Sequence, residues 1–406
     1  MDALIAAAAR ALATGDILGA LKRVALRDDG PALALRGIAM AQLGDLARSK
    51  ALLKSAARAF GPKEAVARAR CSVAEAEIAF VSRELSWPLA TLAAARATLE
   101  QRGDRINAIH ALHLEVRRML LLGQLDEAEQ RLGAPAPAPI PPALTAAHHM
   151  IVAGIAMRRL QAAPARAALA QAHQAARQAG IGALVAEVET ASAILEAPAA
   201  RLIAGGKERL LRIDDVETLL ASDALIIDAN RNLVRSTETI IALAARPVLF
   251  ALVRTLAEAW PHDVTRETLL IRAFGARHAD ESHRARLRVE IGRLRAALRP
   301  LANIVATKRG FALKPRRKCE VIVLAPPVEE RHANVLALLA DGEAWSSSAL
   351  AIALGASART VQRALEELSA SGKAQSFGRG RALRWITPPL PAFPTILLLP
   401  GPLPGG

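Results

Sequence analysis

Along residues 1–200 apolar and polar positions recur at helical spacing, in one alanine-rich amphipathic stretch after another, with no convincing strand between them. A weak period underlies this succession. Gly44-Asp45-Leu46 is answered by Gly123-Gln124-Leu125, with Leu85-Ser86 between and Leu160-Gln161 beyond. The intervals are roughly 37 to 41 residues, the range of helical-hairpin repeats. Ser49 and Ala128 fall five residues after the two glycines, and Leu53 and Leu132 nine after, where the helices of a hairpin would pack. The proline-rich 133–142 cannot continue a helix and reads as a stiff connection.

From about Leu210 the texture changes. Leu225-Ile226-Ile227, Leu233-Val234-Arg235 and Ile240-Ile241 are short β-prone runs, with Asn230-Arg231-Asn232 as a polar turn. Pro247 then stands at the first turn of an amphipathic helix over 248–260. Pro261-His262-Asp263 breaks that helix, and Thr265 is placed to cap a second one ending near Phe274. A polar loop leads into a helix over 282–298. Ile304-Val305-Ala306 and Phe311-Ala312-Leu313 follow as a β-hairpin around 307–310. Past Pro326-Pro327 comes a second trihelical pattern, 329–339, 347–354 and 358–368, the last with Ser357 as N-cap. Gln375-Ser376-Phe377, a glycine-arginine tip and Leu383-Arg384-Trp385 then read as strand, turn, strand.

The helix over 282–298 is the most informative element. Leu287, Ile291, Leu294 and Leu298 share one stripe, which predicts burial. The opposite stripe, Ser282, Ala285, Val289, Gly292 and Ala296, is uniformly small. Arg286 and Arg293 flank it on one side, Arg288 and Arg295 on the other. A solvated helix ordinarily mixes long side chains of both signs on its outer face, and an arginine-rich surface helix is the plain alternative. A narrow outer face with positive edges suits a helix lying in a DNA major groove.

Charge strengthens that reading by its location. The 406 residues are 52% hydrophobic and 22% charged, which predicts several globular domains, and the net charge is +15. Within 277–318 thirteen Lys or Arg stand against Asp280, Glu281 and Glu290, a net of +10. The excess therefore sits on this helix and the hairpin after it, as a phosphate-binding surface requires. Cys71 and Cys319 lie in no metal-like spacing, so a reduced, cytoplasmic protein is expected. The apolar N-terminal run begins with Asp2 and lacks a basic lead, and no stretch approaches membrane-spanning length, so neither a signal segment nor a membrane partner is expected. His110, His113, Glu115 and the His148-His149 pair could suggest a metal, but packing or exposed histidines are the preferred reading. Gly205-Gly206-Lys207 lacks the other residues of a phosphate loop. With no nucleophile–base pair either, no enzyme and no cofactor are expected.

Two resemblances bear on these segments. Gly37, Met40, Ser49, Leu53 and Ala56 stand at the spacing of tetratricopeptide-type repeats, although that family's aromatic positions are mostly replaced. LIIDANRNLVR, RPVLFALVRTLAEAWPHDVTRETLLIRAFG, LRVEIGRLRAAL and ATKRGFAL, over about 210–315, resemble the effector domain of OmpR/PhoB-type response regulators, in which a small sheet precedes a winged helix. That resemblance implies a recognition helix at 282–298 and a wing on the flanking minor groove. It places Val289, Arg293 and Arg295, with Lys308 and Arg309 of the wing, against DNA, and it makes Arg277, His278 and Asp280 a loop able to contact RNA polymerase. Glu290 and Gly292 depart from the family's longer side chains, so base preference should differ, and no phosphoacceptor domain precedes the module. The last trihelical segment resembles a second winged helix-turn-helix of small bacterial repressors.

The expected fold is mainly α: a repeat domain over 1–206, two winged helices over 207–316 and 325–387, and a proline-rich tail over 388–406. The expected function is a bacterial, nucleoid-associated transcription regulator that binds double-stranded DNA. Arg284, Arg286, Arg288, Val289, Arg293, Arg295, Lys308 and Arg309 make the first interface. Arg359, Thr360, Gln362, Arg363, Arg379 and Arg381 make the second. The repeats are expected to take a ligand or protein; a homodimer is compatible but not required. The alternative is a scaffold whose winged helices bind proteins.

Overall fold

Among the described residues, eleven helices account for the first part of the chain: α1 (Ala3–Ala13), α2 (Ile17–Val24), α3 (Gly30–Gln42), α4 (Leu46–Ala59), α5 (Ala65–Val81), α6 (Leu89–Gln101), α7 (Arg105–Leu121), α8 (Leu125–Leu132), α9 (Pro142–Arg158), α10 (Ala162–Ala179) and α11 (Gly182–Glu196). The computed structural model describes the chain except Met1, Arg83, Leu85, 134–139, 275–280, 328–331, 340–343, Arg379, 381–382 and 388–406. Among the described residues no strand precedes Ala200. The turns share one chemistry. Gly15, Gly44 and Gly103 have φ of 82°, 84° and 78°, where a side chain would be strained. The aspartate after each caps the next helix: Asp16 accepts from the Gly19 amide at 2.8 Å, Asp45 from Arg48 at 3.0 Å and Asp104 from Asn107 at 3.4 Å. Gly123 repeats the bend before Gln124, and Leu160 adopts it at φ 59° without being glycine. The α3–α4 crossing is close, with the buried Ser49 hydroxyl donating to the Gly37 carbonyl at 2.6 Å. A Cβ on Gly37 would meet the Leu53 side chain at 2.9 Å.

A second compact unit comprises Leu195–Arg331 with Leu160–Ala163. Its elements are β1 (Ala200–Ala204), β2 (Lys207–Leu211), α12 (Ile213–Leu220), β3 (Leu225–Asp228), β4 (Leu233–Arg235), β5 (Ile240–Ala242), α13 (Pro247–Glu258), β6 (Val264–Thr265), α14 (Arg266–Phe274), α15 (Glu281–Leu298), β7 (Ala302–Ala306), β8 (Gly310–Pro315) and β9 (Val321–Ala325). Thr265 caps α14 as its spacing predicts, accepting from the Thr268 amide at 3.2 Å. One sheet has the order β2-β1-β9-β3-β4-β5, with β9 parallel to β3 and antiparallel to β1; the other is β6-β8-β7. The first sheet reaches past both ends of 207–316: the β1–β2 hairpin turns through 205–206, and β9 lies inside the sheet, buried along its whole length. Val321–Ala325 is unbroken apolar because side chains on both its faces are covered. One face shares a core with α13 and α15 through Val321 and Val323, the other with α12 through Ile322 and Leu324.

The last elements are α16 (Ala333–Leu339), α17 (Ser347–Leu354), α18 (Ala358–Ala370), β10 (Gln375–Phe377) and β11 (Arg384–Ile386). They close around Leu339, Trp345, Leu350, Leu365 and Trp385, with Leu121 and Leu122 from the end of α7 packed against the same core. This segment and the helical repeats accordingly form one compact unit. The chain is mainly helical with small sheets, and no helix among the described residues is long and apolar enough to cross a membrane.

Candidate nucleic-acid interface

The hydrophobic period of α15 fixes which way it faces. Leu287, Ile291, Leu294 and Leu298 are at most 2% exposed, packed into a core with Leu252, Val253, Leu256, Leu269 and Leu270 of α13 and α14. Ser282, Ala285, Val289, Gly292 and Ala296 are all exposed, Val289 at 53%. A Cβ on Gly292 would meet nothing within 4 Å. The helix is thus covered on one side only, and its outer stripe is free of bulk.

Its arginines divide by what they touch. Arg286 lies over the Phe274 ring of α14, 4.7 Å from the centroid, which holds it on the rail without neutralising it. Arg293 donates to Glu290 at 2.8 Å, three residues back on the same helix. The Arg293 side chain is 64% exposed, whereas that of Glu290 is 13% exposed. Arg284 and Arg288 are exposed. Arg295 turns toward the hairpin, where its Nε donates to the Ile304 carbonyl at 2.8 Å and its guanidinium lies 5.8 Å from the Phe311 centroid. Arg295 therefore ties α15 to the wing. Beside Glu290 and Arg293, a cleft of about 440 Å³ is lined by Arg246, Pro247, Val248 and Leu249 at the start of α13.

The hairpin β7–β8 carries Lys308 and Arg309, both exposed, at its tip. Of the residues that shape this tip, the sequence marked Asp263 only as part of a helix break and 307–310 only as the turn, and it did not single out Arg266. Thr307 donates through Oγ1 to Asp263 at 2.6 Å and through its amide to the Gly310 carbonyl at 2.9 Å. The Gly310 amide donates to Thr307 Oγ1 at 2.9 Å. Arg266, the first residue of α14, donates to the carbonyls of Lys308 and Thr307 at 3.2 and 3.3 Å. The sequence signal for these contacts is slight: a polar Asp263 and Arg266 bracketing the short β6.

In the second segment Ser357 caps α18, accepting from the Thr360 amide at 3.1 Å, and Val361, Ala364, Leu365 and Leu368 are buried. Arg359, Thr360 and Arg363 are exposed, while Gln362 is half-buried and donates to Glu366 at 3.0 Å. Arg379 and Arg381 lie outside the described residues, as do Arg277, His278 and Asp280. The histidines of the repeats are engaged in packing. His110 meets Glu77 at 3.0 Å, His113 Nε2 is 3.4 Å from His148 Nδ1, and Glu115 accepts from Arg96 and Arg131. Among the described residues no three side chains are grouped to hold a metal.

No family model, no curated protein and no solved structure matches the chain.

Proposed function

We propose that this chain is a bacterial transcription regulator that binds duplex DNA, with α15 in the major groove and the β7–β8 tip on the flanking backbone. The observation that carries the reading is the exposed small-residue stripe of α15, edged by arginines and backed by a fully buried apolar stripe. An 18-residue helix is about 27 Å long and fits the major groove. Small residues let its backbone approach base edges, and the arginines at its margins reach phosphates or guanine. Arg359, Thr360 and Arg363 of α18 offer a second, weaker contact. The repeats take a ligand or protein that controls binding, in the place a receiver domain occupies in response regulators.

The test is a fluorescence-anisotropy titration of the full chain against a pool of genomic duplexes at several salt concentrations. Arg286→Ala and Arg293→Ala should each weaken binding. An arginine that neutralises one phosphate should, on removal, lower the log–log salt slope by about 0.9. Absence of duplex binding, or unchanged affinity and slope in both variants, would overturn the reading in favour of a protein-binding scaffold.

A further inference from the structure

We infer that Arg266 is the positioning residue of the wing, holding the tip in the one shape from which Lys308 and Arg309 meet the DNA backbone together. The inference rests on the duplex-binding reading above. It assigns Arg266 and its neighbours a part in binding without placing them on DNA.

The argument starts from the tip's own chemistry. Adjacent cations at Lys308 and Arg309 repel one another, and a four-residue turn with two long side chains is a poor candidate for spontaneous order. Yet the backbone there is held from three sides. Arg266 spans two successive carbonyls, those of Thr307 and Lys308, with the two arms of one guanidinium. That fork is planar and rigid, and a lysine ammonium cannot reproduce it. Asp263, at the other end of β6, accepts from the Thr307 hydroxyl. Beneath the tip, Phe311 is 8% exposed, and both Arg266 and Arg295 lie against its ring, at 5.6 and 5.8 Å from the centroid. Arg295 also holds the Ile304 carbonyl, so the wing is tied to α14 and to α15 through a single aromatic ring.

Gly310 completes the device. A Cβ there would lie 1.9 Å from the Val264 carbonyl, so only glycine lets β8 run this close to β6 and bring the tip under Arg266. The backbone that carries both wing cations is thereby held before DNA arrives, and the entropy of ordering that backbone is not taken from the binding free energy.

The experiment is a double-mutant cycle in the full chain, read by anisotropy on a duplex that the wild type binds. In the wild-type background Lys308→Ala and Arg309→Ala should each weaken binding and lower the salt slope by about 0.9. With Arg266→Lys, which keeps the charge and removes the fork, both penalties should shrink toward zero while that of Arg293→Ala persists. In the free protein, Arg266→Lys should also speed hydrogen exchange at the Thr307 amide, which needs no DNA to be seen. Undiminished penalties at Lys308 and Arg309 in the Arg266→Lys background would overturn the inference, as would an unaltered Thr307 exchange rate. If the wild type binds duplex and Arg293→Ala weakens it, such a failure falls on the wing alone. If the wild type binds no duplex, or Arg286→Ala and Arg293→Ala both leave affinity and slope unchanged, the duplex-binding reading itself has failed.

Discussion

Gly292 stands where stability alone favours alanine. It lies inside α15, faces outward and leaves open space where a Cβ would be. In a helix interior glycine costs about 1 kcal/mol relative to alanine. Gly292→Ala should therefore raise the thermal midpoint of the sheet-bearing unit by a few degrees, followed by circular dichroism. If the helix backbone approaches a groove floor, the same methyl group should weaken duplex binding in the anisotropy titration. Equal affinity would leave Gly292 without a part in the interface. The neighbouring arginines show how far residue-level reading extends. Their placement on two rails follows from helical period. That Arg286 stacks on Phe274 and Arg295 on Phe311 does not, because the rings come from positions more than ten residues away whose approach depends on the fold.

At the scale of elements, the α7–α9 contact pairs a buried histidine, His113, with the half-buried His148. His113 is 2% exposed, and its Nδ1 has no hydrogen-bond partner among the described residues. Burial, followed by the charges of His110, His148 and Arg117, pushes His113 down to about 3. His148 is lowered by burial and then by His149, and His149 by burial. Groups held neutral in the fold gain protons only on unfolding, so their effect on stability appears as pH falls below about 6.5. Glu77, raised by burial against His110 and Arg117, acts in the opposite sense, since the fold favours its proton. The thermal midpoint of the repeat-bearing unit should fall between pH 7 and pH 5, as expressed by the histidines. His113→Gln should flatten that fall, by at most about 1.4 kcal/mol per pH unit. A pH profile identical to wild type would show that the buried imidazole carries none of it. The helix turns were partly legible at this scale. Gly44 and Gly123 mark two of them, while Gly15 and Gly103 do the same work at irregular spacing and escape a search for a period.

For the molecule as a whole, two compact units each bring their own core. Leu53 lies in the helical unit beside Ala74 and Ile78, and Leu294 in the sheet-bearing unit beside α13 and α14. Leu→Ala at a fully buried site costs about 2–5 kcal/mol. Leu53→Ala and Leu294→Ala should therefore shift different transitions in a calorimetric scan, and only Leu294→Ala should move the one that duplex binding stabilises. A common shift of a single transition by both would show the chain to unfold as one body.

The sequence by itself determined the local elements, and with them the one-sided burial of α15. Helical period, caps such as Thr265 and Ser357, and β-prone runs such as 225–227 act over a few residues, and their outcome is written in those residues. Only the tertiary structure decided where the units end. Val321–Ala325 lies past 316, the expected end of the first winged helix, and is an inner strand, parallel to β3, of a sheet whose other members lie about a hundred residues earlier. It likewise decided that 332–387 joins the repeats through Leu121 and Leu122, and that Arg266 holds the wing. Burial on both faces and hydrogen bonds to main-chain carbonyls place no periodic mark on the partner that supplies them. Their pairing is set by which surfaces remain uncovered once the local elements have formed.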